Sequence, residues 1–288
     1  MASRSLRAIS AGQQPTHTKA TIQAALKPPI GKDIVWIVVE DIDDINVYKQ
    51  FLDNATTRIL TSEYSDGQKG CHYVEQIVTD ILNEQSTTNI LGIRDTDYTK
   101  YDSYQYPKDV FHTDYRDIEM MMFSTSSVID HLTEWNGDFI QKYDEVISVT
   151  RIFGYMRICN YLYDLGCNFK KKIKISHVWD NRNHVLINNW KEQIQKDFIN
   201  NCNKSFSLEE YNRTINEKNL NDESENDICQ GHDVVRLLQY MFVENKYKES
   251  EIMRQMTISY NLSDFKLTSL YSDIDEWSKV NNKTVFIS

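Results

Sequence analysis

Three acidic residues follow two short apolar runs, with the residue types and spacing that a metal site requires. The run Ile34–Val39 is followed by Glu40, and the run Ile90–Ile93 is followed, after one further residue, by Asp95 and Asp97. Carboxylates that converge at one place repel one another unless a cation lies between them. Hard oxygen ligands of this kind, with water completing the shell, suit Mg²⁺ or Mn²⁺ and not zinc. The sequence therefore predicts a site for Mg²⁺, with Mn²⁺ as the alternative ion.

A fourth acid, Asp44, lies four residues after Glu40. In an extended segment alternate residues face the same way, so Asp95 and Asp97 can bracket a single ion. The competing interpretation is that Asp95 and Asp97 cap a turn and that Asp44 caps a helix. Two acidic strand ends in one sheet favour the metal site over this interpretation. The predicted metal ligands are therefore Glu40, Asp44, Asp95 and Asp97.

The elements that must hold these acids alternate between strand and helix. Runs of β-branched residues predict strands near 34–39, 57–61, 90–93 and 110–113, and apolar residues at helical spacing predict helices near 42–52 and 73–82. This order predicts an α/β fold with a mostly parallel sheet flanked by helices. Ligands of such sheets collect at the carboxyl ends of the strands. Glu40 and Asp95 occupy that position.

The sequence predicts three regions. Residues 1–30 are polar and contain proline, and we expect a flexible or partner-binding arm there. Residues 31–125 form the metal-binding α/β domain. Residues 126–288 form a mainly helical region that completes the fold. Within it, Asn, Asp, Glu and Lys dominate the segment near 203–230, which predicts a polar loop.

Composition narrows the class of protein. The chain has 288 residues, 40% of them apolar, and a formal net charge of −10. This charge argues against a protein that coats nucleic acid nonspecifically. The five cysteines lack the short paired spacing of a redox or zinc motif and suit reduced thiols. No apolar stretch approaches the roughly 20 residues that span a bilayer. We therefore expect a cytoplasmic protein without a membrane segment.

A lysine cluster is the candidate for contact with nucleic acid. Such a cluster is commonly a solvated surface, but Phe169 and Trp179 lie close in sequence and favour contact with a phosphodiester backbone. The candidate nucleic-acid-binding residues are Lys170, Lys171, Lys172 and Lys174.

Two of these segments resemble the signature motifs of the Toprim domain. They are Val38–Glu40 with Asp44, and Leu91–Asp97 with the sequence Leu-Gly-Ile-Arg-Asp-Thr-Asp. The segments Phe111–Glu119 and Gly231–Asp233 narrow the resemblance to the Toprim effectors of PARIS-type anti-phage defence, the AriB-like proteins. The resemblance runs from about residue 33 to about residue 123, and more loosely to about residue 245.

The resemblance implies a Toprim-like fold and Mg²⁺-dependent nuclease activity. Glu40 would bind metal and handle protons, and Asp95 and Asp97 would be metal ligands. Asp117 or Glu119 would add a further carboxylate at the same edge. Glu119 is the favoured catalytic residue of these two, and Asp117 remains a candidate metal ligand. Both acids could instead open a helix, where the dipole favours negative charge.

Two further residues near the motifs bear on activity. His232 lies at a predicted helix start, where it is either structural or a proton donor to the scissile phosphate or the leaving oxygen. Asp41 stands where many Toprim sequences have glycine, and it adds a negative charge next to Glu40. We therefore count His232 as a candidate catalytic residue and Asp41 as a departure that could impair activity.

The resemblance also implies how such a nuclease would be used. The protein would be a toxin effector of abortive-infection type that a partner ABC-type ATPase, AriA-like, holds inactive and releases on infection. Host RNA such as tRNA would be its substrate. We expect a homodimer as the released form, because one active site cuts one strand. An acidic sheet edge suits DNA equally, so a DNA endonuclease stays open. A catalytically silent regulatory subunit also stays open. A primase-like activity is disfavoured, because the sequence has no glycine-rich loop for binding a nucleotide.

Overall fold

The computed structural model describes residues 17–27, 34–63, 69–169, 175–180, 182–242 and 247–287. The chain divides into two compact units. The first comprises Met1–Arg94, Tyr106–His112 and Asp273–Ser288, and the second comprises Asp95–Gln105 and Thr113–Ser272. This division places residues 95–105 and 113–125 in the second unit and the C-terminal segment in the first.

A sheet of four parallel strands forms the centre of the first unit. The strands β1 (Val35–Val39), β2 (Thr57–Thr61), β3 (Ile90–Arg94) and β4 (Val110–His112) lie in the order β2-β1-β3-β4. Parallel strands buried on both faces are near-continuous apolar runs, as β1 and β3 are. The helices that lie wholly in the described part of this unit are α1 (His17–Ala25), α2 (Ile42–Tyr48) and α3 (Cys71–Glu84). The predicted α/β class and the parallel sheet flanked by helices are confirmed.

Helix α3 packs closely against the central strand β3. Val74 and Val78 of α3 are buried in one cluster with Val38 and Ile90. A Cβ added at Gly92 would lie 2.7 Å from Val74 Cγ1 and 3.1 Å from Val78 Cγ2. Interiors are packed too densely to accept such an overlap without a shift of the neighbours. Glycine at this position therefore lets the helix approach the strand that carries the second acidic motif.

The described part of the predicted N-terminal arm is a helix, α1. Its Ile22 is fully buried in the same cluster as the apolar face of α3. Lys19 Nζ lies 2.8 Å from Asp80 Oδ2 and 2.7 Å from Glu84 Oε1, both on α3. The remainder of residues 1–30 lies outside the described residues. The buried side chain of Ile22 and the ion pairs of Lys19 therefore hold α1 against α3.

The end of the chain belongs to the first unit as well. Phe286 pairs with Leu52 in an isolated antiparallel bridge. Ile287 N–H donates to the carbonyl oxygen of Phe51 at 2.9 Å. Trp277 Nε1 donates to Asp109 Oδ1 at 3.1 Å. These contacts explain why the apolar tail, which follows a long helical region in sequence, joins the sheet-containing unit.

The second unit is mainly helical, which confirms the predicted helical second half. Its helices are α4 (Ile118–Phe123), α5 (Ser126–Trp135), α6 (Phe139–Tyr163), α7 (Trp190–Asn200), α8 (Leu208–Glu217), α9 (Glu225–Ile228), α10 (Gly231–Met241), α11 (Glu249–Ser259) and α12 (Leu262–Phe265), and α13 (Ser269–Val280) begins there. Two short antiparallel strands are β5 (Trp179–Asp180) and β6 (Val185–Leu186). Within the described ranges, no helix combines the length and apolar character that crossing a bilayer requires.

The segment near 203–230 is not the polar loop that its composition predicts, because it contains α8 and α9. A capping box starts α8: the Ser207 hydroxyl accepts the Glu210 N–H at 3.1 Å, and the Glu210 carboxylate accepts the Ser207 N–H at 2.8 Å. Tyr211 and Ile215, one helical turn apart, are buried. A narrow apolar stripe was sufficient to fix an amphipathic helix whose other faces are polar.

Candidate metal centre

β1 and β3 are neighbouring parallel strands, so their carboxyl ends lie at one edge of the sheet. Val38 of β1 pairs with Gly92 of β3. Glu40 is the first residue after β1, and Asp95 is the first residue after β3. Both acids are half-buried. The structure thus places the two strands that precede the acidic motifs side by side.

Glu40 lies beside a cysteine that sequence reasoning did not single out. A carboxylate oxygen of Glu40 and Sγ of Cys71 lie within 4.8 Å of each other. Cys71 begins α3, directly after Gly70, whose φ of 126° favours glycine. Ser62 Oγ lies 3.3 Å from the carbonyl oxygen of Glu40 and accepts the Gly70 N–H at 3.2 Å. The only sequence signal for Cys71 was its place after a glycine at a helix start.

Asp41 has a defined role as the N-cap of α2. Its φ of −141° is extended backbone that any residue adopts, so aspartate in place of glycine causes no backbone strain. Its carboxylate accepts the Ile42 N–H at 2.6 Å and lies 2.6 Å from Lys69 Nζ. The pairing with Lys69 offsets part of the negative charge that Asp41 brings near Glu40.

Asp44 and the N-cap Asp41 form a capping box at the start of α2. Asp44 Oδ2 accepts the Asp41 N–H at 2.9 Å. Burial raises the pKa of Asp44 to about 6, against the opposing effect of hydrogen bonds from the backbones of Asp41 and Glu40. The structure therefore gives Asp44 the helix-capping role that was the alternative to metal binding.

Asp97 is held by Arg116 in the second unit. Asp97 has a φ of 52°, in the left-handed region that Asp tolerates better than most residues. Its N–H donates to the carbonyl oxygen of Arg116 at 2.8 Å, and its Oδ1 lies 3.1 Å from Arg116 Nη2. The backbone and the guanidinium of Arg116 thus fix both the conformation of Asp97 and the direction of its carboxylate.

Arg116 is a buried cation shared by several groups. Its guanidinium also pairs with Asp117 and lies 4.9 Å from the centroid of the Tyr98 ring. Burial opposes the charge, but attraction by Tyr98, Asp117, Asp97 and Asp95 outweighs it and raises the pKa of Arg116. Arg116 therefore remains charged and supplies positive potential to the acids of the second unit.

Asp117 and Asp95 both contact the start of α4. Asp117 is its N-cap and accepts the Met120 N–H at 3.0 Å. It also accepts the Gly231 N–H at 3.0 Å and is 1% exposed. Asp95 Oδ1 accepts the Ile118 N–H at 3.3 Å. The structure thus places Asp117 in a buried capping role, whereas Asp95 is half-buried and caps through one oxygen.

Glu119 and His232 form a pair next to this cap. Glu119 is 3% exposed, and its Oε1 lies 3.5 Å from Nε2 of His232. The His232 side chain is 59% exposed. A Cβ added at Gly231 would lie 2.2 Å from Glu119 Cβ and 2.7 Å from Asp117 Oδ1. Glycine at position 231 is therefore required for α10 to bring His232 beside Glu119.

The predicted carboxylates differ in accessibility, which separates their possible roles. Glu40, Asp95 and Asp97 are half-buried, so water or an ion can reach them. Asp117 and Glu119 are almost fully buried. Accessible carboxylate oxygens with room for water are the ligand chemistry of Mg²⁺ and Mn²⁺. Glu40, Asp95 and Asp97 fit such an ion better than the other two.

The predicted nucleic-acid-binding lysines, Lys170, Lys171, Lys172 and Lys174, lie outside the described residues. Their role stays a prediction.

No family model and no curated protein matches the chain. The resemblance to Toprim effectors therefore rests on the motif residues of the sequence and stays a prediction.

Proposed function

We propose that the protein is a Mg²⁺-dependent Toprim nuclease, an effector of PARIS-type anti-phage defence that cleaves host RNA such as tRNA. The observation that carries the proposal is the side-by-side, parallel arrangement of β1 and β3, each followed at once by an acid, Glu40 and Asp95. In parallel sheets this edge is where ligands bind. The motif resemblance supplies the reaction class.

Glu40, Asp95 and Asp97 would hold the ion in this proposal. A divalent ion bound there supplies activation of water and stabilisation of the phosphate charge. Arg116 keeps Asp97 oriented through its 3.1 Å ion pair. Asp44 and Asp117, which cap helices, would act on the ligands indirectly.

His232 would act as the proton donor to the leaving oxygen. It is the exposed member of its pair with Glu119, and an exposed imidazole can reach a substrate. Glu119, buried behind it, lies 3.5 Å from Nε2 of the ring and would orient it. This arrangement gives Glu119 a positioning role toward His232.

An acidic cytoplasmic nuclease would damage its host, so the proposal includes restraint by an AriA-like ABC-type ATPase and release as a homodimer. Size-exclusion chromatography of the protein with and without this ATPase tests the restraint. A complex that dissociates on activation is expected. Separate elution under every nucleotide condition would contradict it.

The decisive experiment incubates the purified protein with tRNA or with plasmid DNA in Mg²⁺ or Mn²⁺. We expect the wild type to cleave tRNA and Glu40→Gln to be inactive. Asp43→Asn is the matched control, because Asp43 is an exposed acid on α2. If the wild type cleaves plasmid DNA and not tRNA, the protein is a DNA endonuclease. If the wild type and Glu40→Gln give the same cleavage result, the nuclease proposal is wrong.

A regulatory subunit without catalysis is the second candidate. The ion pair of Asp97 with Arg116 favours it, because one oxygen of a proposed ligand is already occupied by a cation. Cleavage assays with each divalent ion, together with binding to the ATPase, separate the two candidates. A silent subunit would bind its ATPase yet fail to cleave either substrate with any divalent ion.

A further inference from the structure

Helix α10 (Gly231–Met241) has one buried and one exposed face. The buried residues of the helix beyond its first are Val234, Val235, Leu237, Leu238 and Met241. His232, Arg236 and Tyr240 recur every four residues and therefore share a face. At a rise of about 1.5 Å per residue, the stripe from His232 to Tyr240 is about 12 Å long. We name these three residues the α10 stripe.

The positive charge of Arg236 is not neutralised by an acid among the described residues. In the ranges that the structure covers, no carboxylate forms an ion pair with it. The nearest acid along the helix, Asp233, is engaged by Arg157: Nε lies 2.8 Å from Oδ2 and Nη2 lies 3.0 Å from Oδ1. Each oxygen of Asp233 thus already accepts from Arg157, and among the described residues Arg236 forms no ion pair that would keep it from an external anion.

The surroundings of Arg236 are partly apolar. Arg236 is half-buried and lines a recess of about 10 Å³ together with apolar residues such as Phe169 and Leu237 and with the ion pair of Arg157 and Asp233. Aliphatic stems of arginine pack on such surfaces while the guanidinium stays in water. A side chain supported in this way loses less conformational entropy on binding than a fully extended one.

Tyr240 and His232 end the stripe. The Tyr240 side chain is 41% exposed, which presents a ring to solvent. Aromatic rings that alternate with cations along a surface are the usual platform for unpaired bases and phosphates. His232, at the other end, is the residue proposed above to donate a proton.

We propose that the α10 stripe binds single-stranded nucleic acid, with Arg236 on a phosphate and Tyr240 stacked on a base, and directs the strand toward His232. This inference rests on the proposed nuclease function and specifies the substrate as an unpaired strand. Base pairs in a duplex are stacked internally and are not accessible to Tyr240.

The test measures binding without cleavage. Fluorescence anisotropy of a labelled RNA strand of about 12 nucleotides, within the usual site size of such surfaces, is recorded in EDTA over a range of salt. Arg236→Gln is expected to bind more weakly and to lower the slope of log K against log salt by about 0.7. Tyr240→Ala is expected to weaken binding about fivefold to hundredfold with the salt slope unchanged.

Four controls accompany these variants. Arg213→Gln makes the same charge change at an exposed site on α8 and is expected to bind as wild type. Tyr240→Phe keeps the ring and is expected to retain binding. Circular dichroism checks the fold of each variant. An equivalent DNA strand shows whether the sugar matters.

Unchanged affinity and salt slope in Arg236→Gln would overturn the inference, as would an equal loss in Arg213→Gln. Equal competition by a duplex of the same length would also overturn it. If wild type cleaves RNA and Arg236→Gln binds normally, only the α10 stripe is wrong. If Arg236→Gln weakens binding and Glu40→Gln has wild-type cleavage, only the nuclease assignment of the metal centre is wrong.

Discussion

The backbone N–H of Gly231 donates a 3.0 Å hydrogen bond to the carboxylate of Asp117, which lies 114 residues earlier in the chain. The same carboxylate caps α4 through Met120 and pairs with Arg116. One buried acid therefore joins the start of α10 to the start of α4. The stability of this part of the second unit depends on the cap, and the placement of His232 beside Glu119 follows from it.

Gly231→Ala is expected to destabilise the protein by about 1–3 kcal/mol, the usual cost of an overpacked site. The new methyl group would lie 2.2 Å from Glu119 Cβ, so α10 or α4 must move. Thermal unfolding followed by circular dichroism measures the loss. Gly137→Ala is the matched control, because no atom lies within 4 Å of a Cβ added there. Equal melting temperatures of the two variants would contradict the close approach.

Arg116→Gln is expected to lower the free energy of unfolding by about 3–5 kcal/mol, because it leaves buried Asp117 without its cation. Urea denaturation measures the change. Arg213→Gln, an exposed arginine on α8, is expected to change stability by less than about 0.5 kcal/mol. A loss of similar size in the two variants would mean that Arg116 does not act through its buried ion pairs.

The sheet and the acids at its edge could be predicted from the sequence, because apolar runs of β-branched residues determine parallel strands almost alone. The partners of the buried cations could not be predicted from the sequence. Arg94 pairs with Glu75 at 2.6 Å, and Arg116 pairs with Asp97 and Asp117. Such partners depend on contacts distant in sequence. The one local sequence signal of a buried ion pair was Arg94, which ends the apolar run of β3.

Capping explains most of the remaining differences between sequence and structure. Asp44 and Asp117 were candidate ligands because acids near a strand end can bind metal. The structure uses both at helix starts, where backbone N–H groups need acceptors. The capping box of Ser207 and Glu210 likewise starts a helix in the segment predicted as a loop. A carboxylate near a strand end therefore has two possible roles that composition does not separate.

Asp44→Asn is expected to change the pH dependence of stability. The pKa of Asp44 is raised from 3.8 to about 6 in the folded protein. The folded state thus binds this proton more tightly than the unfolded chain does. The resulting contribution to the free energy of unfolding is present below about pH 4 and is lost as the pH rises through about 6. Over this interval the free energy of unfolding of the wild type should fall by about 1 kcal/mol, after allowance for solvent screening. Asp44→Asn should not show this fall.

Urea denaturation at the two ends of this pH interval measures the difference. The asparagine side chain retains an oxygen that can accept the Asp41 N–H, so the cap persists in the variant. Asp273→Asn, at an exposed position of α13 and not among the groups that raise the pKa of Asp44, is expected to keep the wild-type pH dependence. The same slope in wild type and Asp44→Asn would show that Asp44 does not titrate in this range.

Glu40→Gln is expected to weaken Mn²⁺ binding by at least about tenfold, or about 1.4 kcal/mol, because the amide removes a charged oxygen ligand. Calorimetric titration of Mn²⁺ into wild type and variant measures the affinity directly, without a substrate. Asp43→Asn serves as the control, since it removes the same charge from the exposed face of α2. If Asp43→Asn weakens binding as much as Glu40→Gln, the ion responds to the general negative potential of the sheet edge, and Glu40 is not a ligand.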